Sequence, residues 1–125
     1  MSRQTQQRDA IWQAFKASGR PMSPAEIHEH AQQSVPGLGI ATVYRNLRKL
    51  ESEKQIVPVH VPGEPDRYET AKAAESHHHH FHCEVCGKVY DITGCPGGLA
   101  DLLPQGFVLT AHEISMRGRC DDCTA

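Results

Sequence analysis

The sequence predicts an α+β fold in two parts: a helical N-terminal part with a β-hairpin, and a smaller, cysteine-bearing C-terminal part. Two observations carry this prediction. Apolar residues recur at helical spacing up to residue 50, and two Cys-x-x-Cys pairs lie after residue 80. A chain of 125 residues buries only a modest core, so a structural metal would help to stabilise it.

Two helices are predicted before the first proline- and glycine-rich break. The first covers residues 5–17, where apolar residues share one face until Ser18-Gly19 ends the pattern. The second begins at Ser23-Pro24-Ala25-Glu26, because Ser suits the cap, Pro the first helical position and Glu the return hydrogen bond. It runs to about residue 33.

The third predicted helix has an apolar face and a basic face. Ile40, Val43, Leu47 and Leu50 form the apolar stripe. The opposite face carries side chains that could contact DNA bases and phosphates, namely Thr42, Tyr44, Arg45, Arg48 and Lys49. Such charges are equally typical of an ordinary solvated helix, and two nearby glutamates dilute them.

Two short strands are predicted at residues 56–61 and 67–70, because a turn with two prolines and a glycine separates them. Three helices followed by a hairpin form a winged helix, in which the third helix enters the major groove and the hairpin touches the backbone. The whole-chain charge of −2 gives no global basic signature, so any nucleic-acid surface must be local.

A polar link is predicted at residues 71–76, followed by a small α+β unit. That unit contains strand-like stretches at 79–83, 88–92 and 107–117 and a short helix near 97–103. The predicted organisation is therefore a first domain, a hinge and a second domain at residues 1–70, 71–76 and 77–125.

The cysteines predict a structural zinc site. The chain has neither a signal peptide nor an apolar run of membrane-spanning length, which predicts a cytoplasmic protein without a membrane partner. Thiols stay reduced in that compartment. The four thiolates of Cys83-x-x-Cys86-Gly87 and Cys120-x-x-Cys123 suit a closed tetrahedral site, with two redox-active motifs or two disulfides as the alternatives.

Four consecutive histidines precede the first cysteine pair, inside the chain, where a purification tag would not lie. If the run is extended, His77 and His79 face one way and His78 and His80 the other, so the run could serve two metal sites. A solvated loop is the alternative. His112, on a strand face with apolar neighbours, is by itself more typical of a core histidine than of a ligand.

Three motifs follow one another along the chain: GIATVYRNLRKLE (39–51), HHHHFHCEVCGKVYD (77–91) and GRCDDC (118–123). In this order they resemble the ferric uptake regulator superfamily of bacterial metal-sensing transcription factors. The resemblance spans nearly the whole chain. It implies a winged-helix DNA-binding domain hinged to an α+β dimerisation domain with structural zinc. It also implies a homodimer that binds double-stranded operator DNA when a regulatory metal is loaded.

The resemblance also assigns roles to individual residues. Tyr44 and Arg45 match the base-contacting pair of the recognition helix. The structural zinc ligands are Cys83, Cys86, Cys120 and Cys123. The regulatory site at the hinge comprises Glu69, His78, His80 and Asp91. An additional metal site comprises His77, His79, Cys95 and His112, with the cysteine where relatives carry a carboxylate.

Departures from the family pattern bear on the metal. Pro21 stands where many relatives supply a hinge-site histidine, which leaves four ligands and favours tetrahedral zinc over iron or manganese. Cys95 softens the additional site in the same direction, the alternative being a buried packing role. A DNA-contacting helix that relatives carry ahead of residues 5–8 is expected to be missing, and residues 94–104 replace a longer helix.

The predicted function is a metal-dependent repressor that senses zinc and controls metal-uptake genes. Iron-, manganese- or peroxide-sensing regulators of the same family are the alternatives. A zinc hydrolase would need an open metal position and a general base, and the sequence has no HExxH motif. A metal-storage protein would not require the helix–hairpin module.

Overall fold

The structure is a computed structural model that describes residues 2–75 and 78–124. It contains two compact units, Met1–Ser76 and His77–Ala125. The elements of the first unit are α1 (Arg3–Ser18), α2 (Pro24–Ala31), α3 (Ile40–Ser52), β1 (Ile56–Val59), β2 (Arg67–Thr70) and a single helical turn, α4 (Ala71–Ala74).

Local side chains explain where the helices begin and end. Ser2 caps α1, because its hydroxyl accepts the N–H of Thr5 at 3.1 Å, so α1 begins earlier than predicted. Gly19 ends α1 in the left-handed conformation at φ 63°. The capping box predicted for α2 is confirmed: Ser23 Oγ accepts the Glu26 N–H at 3.2 Å, and the Glu26 carboxylate accepts the Ser23 N–H at 3.1 Å.

One hydrophobic core holds the first unit together. Its members include Ile11, Phe15, Met22, Ile27, Leu38, Val43, Leu47, Leu50 and Ile56. Three of the four residues predicted for the apolar stripe of α3 are among them. The fourth, Ile40, is 41 % exposed because it is the first residue of the helix and lies outside the packed core.

The hairpin of the first unit is antiparallel, and Val57 pairs with Glu69 across it. Met22 exchanges two backbone hydrogen bonds with Tyr68, at 2.9 and 2.8 Å, which joins the segment before α2 to the edge of the hairpin. Three helices with this small sheet make a winged helix, and α3 occupies the position of the recognition helix.

The second unit is a three-stranded sheet of β3 (His78–Cys83), β4 (Val89–Thr93) and β5 (Ser115–Gly118), in the order β4–β3–β5. β3 runs antiparallel to β4 and parallel to β5. Two short 3-10 helices, Leu99–Leu102 and Asp121–Cys123, complete the unit.

Part of the polar link predicted at residues 71–76 is a helical turn, at residues 71–74, because the Thr70 hydroxyl caps it by accepting the Ala73 N–H at 3.2 Å. One prediction about the second half of the chain is wrong. The strand predicted over 107–117 is confined to β5, so His112 does not lie on a strand. The parallel register pairs Ser115 with His80, and β3 begins only two residues earlier, at His78. Residues well before 115 therefore have no strand residue opposite them.

Candidate metal centres and nucleic-acid interface

Four cysteines of the second unit converge on one point. Cys83 and Cys86 flank the turn after β3, and Cys120 and Cys123 flank the last 3-10 helix. Gly87 adopts φ 78° in that turn, a conformation that a side chain would strain. The four sulfur atoms all lie within 4.8 Å of one another, and none of the cysteines is in a disulfide.

The sulfur geometry fits tetrahedral zinc. Cys86 Sγ and Cys120 Sγ are 3.8 Å apart, and zinc–sulfur bonds of about 2.3 Å at the tetrahedral angle separate two sulfurs by about 3.8 Å. The N–H groups of Cys86 and Cys120 donate to Cys83 Sγ at 3.5 and 3.4 Å. These bonds lower the pKa of the Cys83 thiol to about 6, whereas contact with the Cys120 thiol and burial raise the pKa of Cys123 to about 12. A bound cation would hold both as thiolates.

A second cluster lies around His79 of β3. His79 is 3 % exposed, and its Nδ1 accepts the Ile114 N–H at 3.1 Å. The ring centres of His79 and His112 are 5.1 Å apart, and Cys95 Sγ lies 2.9 Å from His112 Nε2. One ligand atom from each of His79, Cys95 and His112 lies within 4.8 Å of the others.

The donors of this cluster fit a soft or borderline divalent metal after a small rearrangement. Sulfur and nitrogen ligands on one zinc are about 3.5 Å apart, so the 2.9 Å contact between Cys95 and His112 is a hydrogen bond that would have to open. The Ile114 N–H also occupies the Nδ1 lone pair of His79, whereas a ligating histidine donates its second N–H. A metal here would therefore compete with existing hydrogen bonds.

His80 and Asp91 are cross-strand partners, so their side chains share a face of the sheet. His80 Nε2 and Asp91 Oδ1 are 3.2 Å apart, close to the roughly 3.4 Å expected for imidazole and carboxylate ligands on one zinc. Glu69, also predicted for the regulatory site, belongs to β2 of the first unit and is 5 % exposed. The side chain of His78 and the whole of His77 lie outside the described residues.

The basic face of α3 lies on the surface of the first unit. Tyr44, Arg45, Arg48 and Lys49 are exposed and Thr42 is half-buried. The guanidinium of Arg45 donates to Thr42 Oγ1 at 2.8 Å. A polar cleft separates this face from the N-terminal half of α1. That cleft could not be predicted from the sequence, because scattered glutamines such as Gln4 and Gln7 form no motif.

The isolated histidines have ordinary partners. His28 Nε2 lies 2.7 Å from a backbone carbonyl oxygen, and His60 Nδ1 lies 2.8 Å from an aspartate. Sequence reasoning missed His82, which is 8 % exposed. Side chains alternate along β3, so His82 lies on the same face as His80, and this alternation could have identified it from the sequence. No helix of the described residues is both long and apolar enough to cross a membrane.

The family model of the Ferric uptake regulator family matches residues 2–116 of this chain. The Ferric uptake regulation protein of Campylobacter jejuni is 31 % identical over 124 residues, which cover 95 % of this chain and 78 % of that protein. The Peroxide operon regulator of Bacillus subtilis is 28 % identical over 126 residues, which cover 96 % and 83 %.

Solved structures give the same result. The ferric uptake regulator of Helicobacter pylori, reported to have three functional metal binding sites, matches with a TM-score of 0.68 at 28 % identity, over 95 % of this chain and 80 % of that one. A zinc-bound manganese uptake regulator has a TM-score of 0.78 at 23 % identity, over 96 % and 89 %, and shares the fold. The chain therefore belongs to the ferric uptake regulator family, and it is a metal-responsive transcription regulator rather than an enzyme.

Proposed function

We propose that this protein is a homodimeric, cytoplasmic repressor that binds operator DNA when zinc occupies a regulatory site, and that it controls metal-uptake genes. The proposed ligands are Glu69, His78, His80 and Asp91. The observation that carries the proposal is the 3.2 Å separation of His80 Nε2 and Asp91 Oδ1, on neighbouring strands of one sheet. An imidazole–carboxylate pair at that distance suits zinc, and also iron(II) or manganese.

Zinc is favoured over the other two metals by the number of donors. Pro21, which stands where many relatives supply a further histidine, is buried in the first unit and has no donor side chain. Four protein donors suit tetrahedral zinc, whereas iron(II) and manganese take more ligands and would need added water.

The regulatory metal would act by joining the two units. Glu69 comes from β2, and His80 and Asp91 come from β3 and β4. A metal held by all of them would restrain the orientation of the winged helix. It would shift the population toward the DNA-competent arrangement, and the size of the shift is set by the ratio of the metal's affinities for the two arrangements.

DNA recognition is assigned to the exposed face of α3. Tyr44 and Arg45 would contact base edges in the major groove, and Thr42, Arg48 and Lys49 would contact the groove or the flanking phosphates. Their exposure supports this assignment, because Val43, Leu47 and Leu50 on the opposite face are buried in the core.

Two further metal sites are proposed in the second unit. The closed set of Cys83, Cys86, Cys120 and Cys123 leaves no open position for a substrate, so a zinc there is structural. The additional site comprises His77, His79, Cys95 and His112. A thiolate in place of the relatives' carboxylate makes this site softer, which again favours zinc.

The second unit also carries the proposed dimer surface. Leu102, Phe107 and Val108 are 80, 66 and 82 % exposed. Several large apolar side chains exposed within a few residues of one another are typical of an interaction surface. A second copy of this chain is the proposed occupant, because the family consists of dimeric DNA-binding regulators.

The test is DNA binding under buffered free metal. A DNA fragment selected from random duplexes by the zinc-loaded protein would be titrated by fluorescence anisotropy against zinc, iron(II) and manganese in parallel. We expect binding at the lowest free concentration with zinc. Binding that responds to iron(II) or manganese but not to zinc would assign the regulator to those metals, and binding that ignores all three would overturn the proposal. Loss of binding when the iron-loaded protein meets peroxide would favour the peroxide-sensing alternative.

A further inference from the structure

A polar cleft lies between α1 and α3 of the first unit, with a volume of about 320 Å³. Three of the side chains that line it are cationic and, within the described part of the chain, none is acidic. The lining residues are Gln4, Thr5, Gln7, Arg8, Thr42, Arg45, Asn46 and Lys49. All the others carry amide or hydroxyl groups, so the cleft offers mainly hydrogen-bond donors.

Helical spacing explains why these side chains meet. On α1 the residues at 4, 7 and 8 recur every three or four positions, and on α3 those at 42, 45, 46 and 49 do the same. Each set therefore forms one face of its helix. Tyr44 and Arg48, four positions apart, form a neighbouring stripe on α3 that does not line the cleft. The exposed surface of α3 thus has two polar stripes, one beside α1 and one away from it.

Hydrogen bonds already order three of the cleft side chains, those of Arg8, Arg45 and Asn46. Arg45 donates to Thr42 Oγ1 at 2.8 Å, and the Asn46 side-chain amide donates to the Thr42 carbonyl oxygen at 2.9 Å. Arg8 donates to Glu53 at 2.9 Å, from the far end of α3. Side chains that are already ordered lose less entropy on binding. Glu53 also neutralises part of the charge on Arg8.

We propose that this cleft binds one phosphodiester of the DNA backbone, beside the groove that α3 reads, so that α1 is part of the DNA interface. The proposal rests on the proposed function as a DNA-binding regulator. Guanidinium, ammonium, amide and hydroxyl groups are the donors that contact phosphate oxygens in protein–DNA complexes. Such contacts fix the position of the protein without reading sequence. Tyr44, on the neighbouring stripe, and Arg45, on the α3 wall of the cleft, would be left for the bases, so Arg8 and Lys49 are the cations that hold the phosphate.

The experiment separates phosphate contacts from base contacts by their salt dependence. Arg8→Gln and Lys49→Gln each remove one cation from the cleft. For each, we expect the slope of log affinity against log salt to fall by about 0.9, equally on the operator and on a random duplex. Lys16→Gln, in the last turn of α1, is the matched control, and its slope should equal that of the wild type. Thermal melting and zinc content verify that each variant is folded.

Glu53→Gln gives a test of the opposite sign. Without its carboxylate, Arg8 is available to the phosphate, and we expect both duplexes to bind up to about 5-fold more tightly, the upper range for an exposed ion pair. A slope that is unchanged in Arg8→Gln and Lys49→Gln, while the wild type still binds its operator with metal, overturns the cleft proposal alone. A variant that loses only sequence preference would make its residue a base contact and would also overturn it. Absence of operator binding by the wild type with every metal would overturn both proposals.

Free anions could offer the same chemistry. Inorganic phosphate at millimolar concentration and constant ionic strength is the probe for that source. We expect the ratio of the DNA affinities of the wild type and Arg8→Gln to be the same with and without phosphate. If phosphate raises the melting temperature of the wild type and not of Arg8→Gln, yet does not compete with DNA, the cleft is a site for a free anion and the backbone contact is excluded.

Discussion

The two units of this chain bury different kinds of side chain. In the first unit the buried set is apolar apart from Arg67 and Glu69, and it includes Ile11, Phe15 and Ile27. Among the described residues of the second unit, the buried ones are Cys83, Val89, Cys120, His79 and His82, and only the valine cannot bind a metal. The first unit is stabilised by burial of apolar area. The second lacks a comparable core, so we expect bound metal to supply much of its folding free energy.

The exposed surfaces differ in the opposite sense. Leu102 and Val108 of the second unit are at least 80 % exposed, whereas the large apolar side chains exposed in the described part of the first unit, Ile40 and Tyr44, are less than half exposed. Buried thiol and imidazole groups suit a unit that binds metal in its interior, and exposed apolar groups suit a unit that packs against a second copy of the chain. The comparison teaches that the two units should respond to different perturbations, and each of the four variants below changes only one unit.

The largest effect is expected for Cys83→Ser. Removing a buried thiolate breaks the closed four-cysteine site, and structural zinc contributes about 10–16 kcal/mol of apparent binding free energy in small zinc domains. We expect loss of zinc and unfolding of the second unit, while the helical signal of the first unit still melts cooperatively. Zinc content and circular dichroism measure this. Cys95→Ser is the control and should retain structural zinc; full zinc content in Cys83→Ser would refute the site.

His80→Ala is expected to abolish metal-dependent operator binding while the dimer persists. It removes the imidazole that pairs with Asp91 but leaves the cysteine site intact. His79→Ala should weaken binding less, through the stability of the second unit. Operator affinity against free zinc, measured by anisotropy with sizing by ultracentrifugation, compares the two variants. If His79→Ala were the inactive one and His80→Ala behaved as wild type, the two histidine faces would be assigned in reverse.

Ile27→Ala should destabilise the first unit by about 2–5 kcal/mol, because it leaves a cavity at a fully buried position. Denaturant melting followed by helical circular dichroism gives the free energy of unfolding. Zinc content should stay at the wild-type value, since the change lies in the unit without the cysteines. Loss of zinc in this variant would mean that the stabilities of the two units are not independent.

Arg45→Ala should cost about 1–3 kcal/mol of operator binding if the guanidinium reads a base edge. The loss should be larger on the operator than on a random duplex, and both unfolding transitions should be unchanged because Arg45 is exposed. Anisotropy at fixed salt on both duplexes measures the ratio. An unchanged ratio would remove Arg45 from base readout.

Sequence reasoning succeeded where local chemistry decides the structure. The cap at Ser23, the bounds of β2 and the tight turn at Gly87 all follow from neighbouring residues. It failed where pairing partners are distant. The extent of β5 depends on where β3 begins in a parallel register, and no local pattern in 107–117 reports that. The contact of Cys95 with His112 likewise depends on how the intervening loop folds.

The alternation of β3 limits the changes in length that this region can accept. Consecutive side chains of a strand face opposite ways. The number of residues between each histidine and Cys83 therefore decides on which face of the sheet that histidine lies. Deleting Phe81 would reverse the faces of the preceding histidines relative to Cys83, because a shift of one residue inverts every side chain. Deleting two residues would restore the faces but shorten the strand. In homologues, insertions and deletions between the histidines and the first cysteine should therefore come in pairs, or be absent.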